Sequence, residues 1–351
     1  MKVLWICGLP RGVVREGYGV RSELSWIVGH LPPPQEVELH ILCPVFGLER
    51  PHRTFCDRGV VWHLVRLRRF EPLFLRLRFA YAARKIVRMI RPDIVHGWGG
   101  ETGWGLIATY LSRNAVVSVQ GLLRMWKGNS LGCRAGAVGF VRESFQRKFE
   151  ALTYRRAKVL LCEGDASRVL LKELYGHDAI VVPHPLRPEF FVKLGAGEES
   201  VLGSQGRKFL FVGQNVARKG IDDLRKIQRV HPELDITYVT GGKSAPEIAK
   251  LMQTHDALVL PSYGDTGPTV IKEAIAMGLP VIAYDNTGPK ELIEKYGGIL
   301  VRTGDVESLA KVMMAVSQRE MNMDGQRRIQ EDLSWRRVWD RLLNVYAEVS
   351  K

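Results

Sequence analysis

The chain has 351 residues, long for one hydrophobic core and comfortable for two. Hydrophobic residues make up 46%, as in a folded soluble protein, and no run of about 18 uncharged apolar residues is present to span a membrane. The formal charge of +14 lies wholly in the first half: residues 1–187 hold 29 Lys and Arg against 15 Asp and Glu, whereas residues 188–351 hold 22 of each.

The opening MKVLWICGLP is apolar only as far as Pro10, too short for a secretory signal, and MKVLWIC reads as a buried strand. Strands are expected at Lys2–Cys7, Val37–Cys43, Val60–Leu64, Ile94–His96, Ala115–Val119 and Lys158–Cys162. Helical stretches at Tyr18–Gly29, Phe74–Ile90, Gly103–Ser112 and Val141–Arg155 lie between them. Such alternation predicts an α/β domain with a mostly parallel sheet. The loop GLPRGVVREGYGVRSEL after the first strand is neither a dinucleotide fingerprint nor a lysine-ended phosphate loop. Its glycines let backbone approach a ligand, or simply make it flexible.

RLRRFEPLFLRLRFAYAARKIVRMIR, from Arg66 to Arg91, carries nine basic residues and one acid, Glu71, interleaved with Leu, Phe and Tyr. It suits an anionic lipid surface with snorkelling basic stems, a phosphate-rich ligand, or a plain solvated helix face. No recognisable nucleic-acid motif accompanies it. In IVHGWGGETGWG, His96 follows a strand and Glu101 follows a glycine pair, so both can reach a cleft; a structural histidine is the competing reading. Five cysteines (Cys7, Cys43, Cys56, Cys133, Cys162) show no CxxC or zinc spacing, which fits a reduced cytoplasm and five buried small hydrophobes.

Three prolines in VVPHPLRPEFF forbid a regular helix and predict an extended interdomain linker, with His184 at its centre. The strand–helix pattern then restarts. RKFLFVG, LDITYVTGG, DALVLPS and LPVIAYDNTG read as strands and their tips. RKGIDDLRKIQRVH, APEIAKLMQTH and TVIKEAIAMG read as helices, and GGILVRTGDVESLAKVMMAVSQ adds a strand and a helix. SWRRVWDRLLNVYAEVS closes the chain as an amphipathic helix. The predicted organisation is residues 1–183, 184–333 and 334–351: two α/β domains facing a cleft, then a final helix. Ligands bind at the crests of such sheets, and a cleft between two of them can hold two substrates.

In FVGQNVARKGIDDL, Gly213 permits close backbone approach, and Arg218 and Lys219 precede a helix N-terminus, a setting for a diphosphate. The most informative segment is SYGDTGPTVIKEA. Pro268 can open a helix, whose first N–H groups near Thr269 are free to meet a ligand oxygen. Glu273, early in that helix, can accept two hydrogen bonds from a vicinal diol such as ribose, and Asp265 can reach hydroxyls of a second ring. Alternatively both acids merely complement the helix dipole. No GxSxG elbow, no HExxH and no acidic metal cluster is present.

Asp265-x7-Glu273, inside PSYGDTGPTVIKEAIAMGLPVIA, resembles the E-x7-E motif of family-4 retaining glycosyltransferases of the GT-B fold. TGPKELI…GGILVRTGDVESLA, SWRRV and LFVGQNVARKGIDDL agree with that family, as, more weakly, do PDIVHGWGG and AVVSVQG. The resemblance implies two Rossmann-like α/β/α domains, with the C-terminal helix crossing back to the first. It implies that Glu273 binds donor ribose, Asp265 the donor sugar and Lys219 the leaving diphosphate. Gly267, Pro268 and Thr269 would surround sugar or phosphate, and Gly12 would approach phosphate and acceptor. Tyr18, His96, Glu101, Gln120 and His184 are the acceptor or cleft candidates. Four departures stand out: Asp265 replaces a Glu, Gln214 replaces an Arg for which Arg218 substitutes by position, Gln120 replaces a sugar-proximal His, and the segment GGKSAPEIAKLMQTH is short.

The implied reaction moves a sugar from a UDP- or GDP-linked donor to an acceptor hydroxyl, with no metal or cofactor. The basic stretch favours a lipid-linked or anionic acceptor and a peripheral place on the inner face of a membrane, in surface polysaccharide or glycolipid synthesis. A sugar-nucleotide epimerase of the same fold and a non-catalytic nucleotide-sugar or nucleic-acid binder are the alternatives.

Overall fold

A computed structural model describes residues 1–9, 27, 30–67, 77–125, 137–191, 207–316 and 323–351. The first half runs β1 (Lys2–Ile6), β2 (Glu38–Phe46), β3 (His52–Asp57), β4 (Val60–Leu67), α1 (Leu77–Ile90), β5 (Ile94–Trp98), α2 (Trp104–Leu111), β6 (Ala115–Ser118), α3 (Ala137–Arg156), β7 (Val159–Cys162), α4 (Asp165–Tyr175) and β8 (Ile180–Val181). The second runs β9 (Arg207–Val212), α5 (Ile221–Val230), β10 (Leu234–Val239), α6 (Ala245–Thr254), β11 (Ala257–Leu260), α7 (Thr269–Ala276), β12 (Val281–Asp285), α8 (Thr287–Tyr296), β13 (Ile299–Arg302), α9 (Val306–Ala315), α10 (Met323–Asp332) and α11 (Trp335–Ser350).

The described strands form two sheets, ordered β3-β4-β2-β1-β5-β6-β7-β8 and β10-β9-β11-β12-β13. Only the β3–β4 pair is antiparallel among them. Parallel strands are covered on both faces, which is why VLWI and ALVL are continuous apolar runs. Alternate residues of β1 serve opposite cores. Val3 and Trp5 pack with Val338, Trp339, Leu342, Val345 and Tyr346 of α11. Leu4 and Ile6 pack with Phe79 and Ala83 of α1 and Ile107 of α2.

Helix α11 therefore belongs to the first core. Its buried side chains recur at three- and four-residue steps, a single apolar face. Trp339 stacks on Trp5 with ring centroids 5.5 Å apart, and its Nε1 donates to His30 O at 2.7 Å. Where the chain returns from α10 to α11, Leu333 O accepts from Leu186 N at 2.9 Å, so the two interdomain crossings are tied together.

Several expectations change. The strand expected to stop at His96 continues to Trp98, placing His96 inside the sheet. The strand expected to end at Cys43 continues through Pro44 to Phe46. Cys7 N donates to Leu42 O, so Pro44, two residues on, turns its missing N–H toward the side where β1 has already ended. Strand β3 was not expected, because HRTFCD is largely exposed and lacks a buried face. On it Cys56 is exposed, correcting the expectation of five buried cysteines; Cys7, Cys43 and Cys162 are buried, and Cys133 lies outside the described residues. Helix α8 starts at Thr287, inside the NTG read as a strand's tip, and Pro289 sits in its first turn, where no N–H partner is needed. Helices α4 and α10 were not assigned from sequence either.

Candidate functional site

The carboxyl ends of both sheets meet at the linker. In the second domain, Gly213 N closes the tip of β9 on Val239 O at 3.0 Å. Gln214 follows in a half-buried loop, and Ala217–Lys219 forms one 3-10 turn. Gly220 ends it at φ 69°; a Cβ there would lie 1.8 Å from Pro261 O, so only glycine lets this turn touch the next loop.

That next loop, residues 261–268, is stitched to the turn. Arg218 O accepts from Tyr263 N at 2.8 Å and from Ser262 Oγ at 3.2 Å, while Arg218 Nη1 donates to Gly264 O at 3.4 Å. Lys219 Nζ forms an ion pair with the Asp265 carboxylate, and both side chains are mostly buried. Below, the buried Asp223 on the first turn of α5 accepts from Tyr263 and Tyr284 hydroxyls at 2.6 and 3.0 Å, fixing the loop from its inner side. Gly267 and Pro268 lead into α7, with Thr269 as its first residue.

Glu273 is buried on α7 beside the linker. Arg187 donates to its Oε1 through Nη2 at 2.6 Å and Nε at 3.2 Å. Both nitrogens use the same oxygen, so neither of these bonds occupies Oε2. Burial raises the Glu273 pKa and outweighs the pull of Arg187. The preceding residue, Lys272, turns to the first domain and pairs with Glu163 at 2.5 Å. Two further contacts join the domains. Glu291 on α8 accepts from Asp165 N and Ala166 N at 2.9 and 2.8 Å, and Ser167 Oγ donates to Thr266 O at 3.0 Å. A carboxylate across the first amides of α4 satisfies donors that the helix itself leaves unpaired.

On the first-domain side, Gln120 follows β6 and His184 lies on the linker. His184 Nε2 is 3.1 Å from Gln120 Oε1 and 2.9 Å from Glu163 Oε1. His96 is fully buried, with Nδ1 2.6 Å from Tyr346 Oη and Nε2 2.8 Å from Ser118 Oγ, so it links α11 to the sheet. Glu101 follows β5. Burial pushes its carboxyl up to about 8, with Glu150 adding to the rise and the N–H groups of Glu101 and Gly121 opposing it. Gly12 and Tyr18 lie outside the described residues, as do residues 68–76 of the basic stretch.

The sequence-derived candidates Asp265, Lys219, Arg218 and Gly267 converge at the carboxyl end of the second sheet, beyond β9 and β11. Arg187, Glu163, Lys272 and Asp223 were not singled out from sequence. Each belongs to a pair closed only by the fold, such as Glu163 with Lys272, 109 residues apart. Their only local signal is position, two of the four standing just beyond a strand end or in the linker.

This arrangement, two Rossmann-like domains with a C-terminal helix returning to the first, is the GT-B fold. The chain is similar over 99% of its length to sucrose-phosphate synthase from Thermosynechococcus elongatus, with a TM-score of 0.76, 15% identity and 98% of that chain covered. It is likewise similar to Anabaena Alr3699/HepE solved with UDP and glucose, with a TM-score of 0.71 and 15% identity over 99% of this chain and 100% of that one.

In sequence, the Glycosyltransferase Family 4 model matches residues 30–190 and the Glycosyl transferases group 1 model matches residues 199–319. The chain is 25% identical to the putative teichuronic acid biosynthesis glycosyltransferase TuaC of Bacillus subtilis, across 89% of this chain and 88% of that protein. A D-inositol 3-phosphate glycosyltransferase of Saccharomonospora viridis is 28% identical over 42% of this chain, but only 36% of that relative is spanned. The GDP-mannose-dependent alpha-mannosyltransferase of Mycobacterium tuberculosis is 32% identical over 34% of this chain and 33% of its own length.

Proposed function

We propose that the protein is a retaining, metal-independent hexosyltransferase that uses a UDP- or GDP-linked sugar. The observation that carries this reading is the Lys219–Asp265 ion pair, which sets a cation and a carboxylate from two loops together at the carboxyl end of the second sheet. Glu273 lies a short helical segment away with Oε2 outside its Arg187 bonds.

An arriving diphosphate displaces Asp265 as the partner of Lys219. Asp265 is released to accept from hydroxyls of the transferred sugar, and Glu273 Oε2 accepts from the ribose diol. As the anomeric carbon–oxygen bond to the diphosphate breaks, Lys219, Arg218 and the first amides of α7 hold the growing charge. The acceptor oxygen bonds to the anomeric carbon on the same face, and a diphosphate oxygen takes its proton. The products are the glycosylated acceptor and a nucleoside diphosphate.

The acceptor is lipid-linked or anionic, delivered at the inner face of a membrane. Two lines support this. One similar protein, from Escherichia coli and 22% identical over 82% of both chains, is named a UDP-Gal:alpha-D-GlcNAc-diphosphoundecaprenol galactosyltransferase. The outer face of α1 also exposes Tyr81 and Met89 beside Arg84, Lys85 and Arg88. No helix of the described residues is long and apolar enough to cross a membrane. A panel of UDP- and GDP-sugars with polyprenyl-diphosphate-linked acceptors tests the reaction. Nucleotide release should require acceptor, and Lys219→Ala should lower kcat by about two orders of magnitude with a much smaller loss of stability. Acceptor-independent release of nucleotide or an epimerised sugar would refute transfer, and parallel loss of folding and turnover would make Lys219 structural.

A further inference from the structure

Residues 163–167, the turn between β7 and α4, reach three parts of the second domain at once. Glu163 Oε2 is 2.5 Å from Lys272 Nζ on α7, and its Oε1 is 2.9 Å from His184 Nε2 on the linker. Asp165 N and Ala166 N donate to Glu291 Oε1 and Oε2 on α8 at 2.9 and 2.8 Å. Ser167 Oγ donates at 3.0 Å to Thr266 O, in the loop that leads to α7. That loop and α8 are themselves joined, since Gly288 N donates to Asp265 O at 2.9 Å.

Gly164 shows how closely the two sides meet. Its φ of −164° and ψ of 170° are extended backbone that any residue adopts, so the turn itself does not call for glycine. A Cβ there would lie 2.5 Å from Glu291 Oε1 and 2.7 Å from Oε2. What leaves no room for a side chain is therefore a carboxylate of the other domain. Glu291 also fits this place in charge. Its two oxygens each take one amide at the N-terminus of an 11-residue helix, where the donors lack partners within the helix and carry partial positive charge. Bonds of this kind, with an ionised acceptor, belong to the strong class. Behind them the Glu163–Lys272 pair is largely withdrawn from water. Domains of one chain shift against each other by default unless their contact resists it. Here oriented hydrogen bonds and an ion pair from one short turn supply that resistance.

We propose that residues 163–167 form an interdomain clasp, closed on Glu291, that holds the two domains in this setting without a bound ligand. The clasp grips α7, α8 and the loop between β11 and α7, the frame that carries Asp265 and Glu273. That frame then faces the first domain already assembled, and no rotation of the domains is needed to bring the two together. The clasp stands apart from the reaction proposed above and does not depend on it.

Hydrogen exchange and small-angle X-ray scattering on the full chain test this. Glu291→Gln sets an amide N–H against one of the two backbone donors, and Gly164→Ala puts a methyl group where the carboxylate lies; neither residue belongs to the proposed donor site. In each variant, exchange should rise at least about tenfold, the worth of one charge-assisted hydrogen bond, in residues 163–167 and also in 264–268. The second segment is the informative one, because the Glu291 carboxylate bonds only to the first. The radius of gyration of the ligand-free variants should increase. Glu294→Gln, on the exposed side of α8, should change neither quantity. Ser167→Ala spares Glu291 and should also free both segments, which preserves the test if the other variants do not fold. The wild type should keep one radius of gyration with and without UDP or GDP. A rise in exchange confined to Asp165 and Ala166 would reduce the contact to a local helix cap and overturn the clasp. So would variants of unchanged radius, or a wild type that contracts on binding nucleotide. If neither nucleotide binds, the donor-site reading fails, and the ligand-free variants still decide the clasp.

Discussion

Arg187 shows how a single linker residue conditions the second domain. Its guanidinium and the Glu273 carboxylate are both largely withdrawn from water and 2.6 Å apart. Breaking a buried pair leaves one charge uncompensated, which costs about 3–5 kcal/mol. Arg187→Met should therefore destabilise the protein by about that amount in urea unfolding. The loss should be greater at pH 8 than at pH 5, since a protonated Glu273 needs no partner; an equal loss at both would mean that packing rather than charge is responsible. Glu101 gives the opposite kind of expectation. With its folded pKa raised to about 8, the folded chain holds a proton that the unfolded chain releases near pH 4. Stability from this group is complete below about pH 4 and is lost as pH rises toward 8. Glu101→Gln should accordingly gain stability relative to wild type between pH 5 and pH 8, as read by urea unfolding at both; a constant difference would refute a protonated Glu101. Asp265 and Glu273 could be singled out from sequence because their spacing is a local motif. Arg187 and Glu163 were not, because their meaning lies in partners 86 and 109 residues away.

Among the elements, buried parallel strands were the most legible, since apolar runs such as VLWI need no tertiary context. The edge strand β3 and helix α10 were the least: one is exposed along most of its length, and the other buries only Gly325, Gln326 and Ile329. Helix α10 is held by contacts no pattern announces, with Gln326 and Gln330 donating to Ala276 O at 3.0 and 2.8 Å. Helix α1 carries its own prediction. Its buried face packs Phe79, Ala83, Ile86 and Ile90 against the sheet, leaving Arg84, Lys85 and Arg88 outward. Each basic residue near an anionic bilayer contributes about 1 kcal/mol, so replacing all three with serine should lower partitioning to phosphatidylserine vesicles by about two orders of magnitude at low salt. The difference should shrink as salt screens the surface. Unchanged partitioning in a flotation assay would remove α1 from the membrane contact.

For the whole molecule, two sheets direct their carboxyl ends at one seam, and the linker and the returning chain cross it side by side. Buried charges occupy that seam: Glu163 with Lys272 and His184, and Glu273 with Arg187. If Glu273 engages the donor as proposed, the donor would act on the same helix whose Lys272 pairs with Glu163 of the first domain. The coarse duplication into two α/β halves could be read from the alternation of strands and helices. The seam could not, since it is made from residues of both halves. Glu273 is proposed to hold a nucleoside diphosphate on the second domain. Isothermal titration of UDP and of GDP, without added metal, into the wild type and into Glu273→Ala of verified fold tests this role. The expected result is micromolar binding of one nucleotide to the wild type and loss of that binding in the variant. Binding of neither nucleotide, or equal affinity in the two proteins, would contradict it.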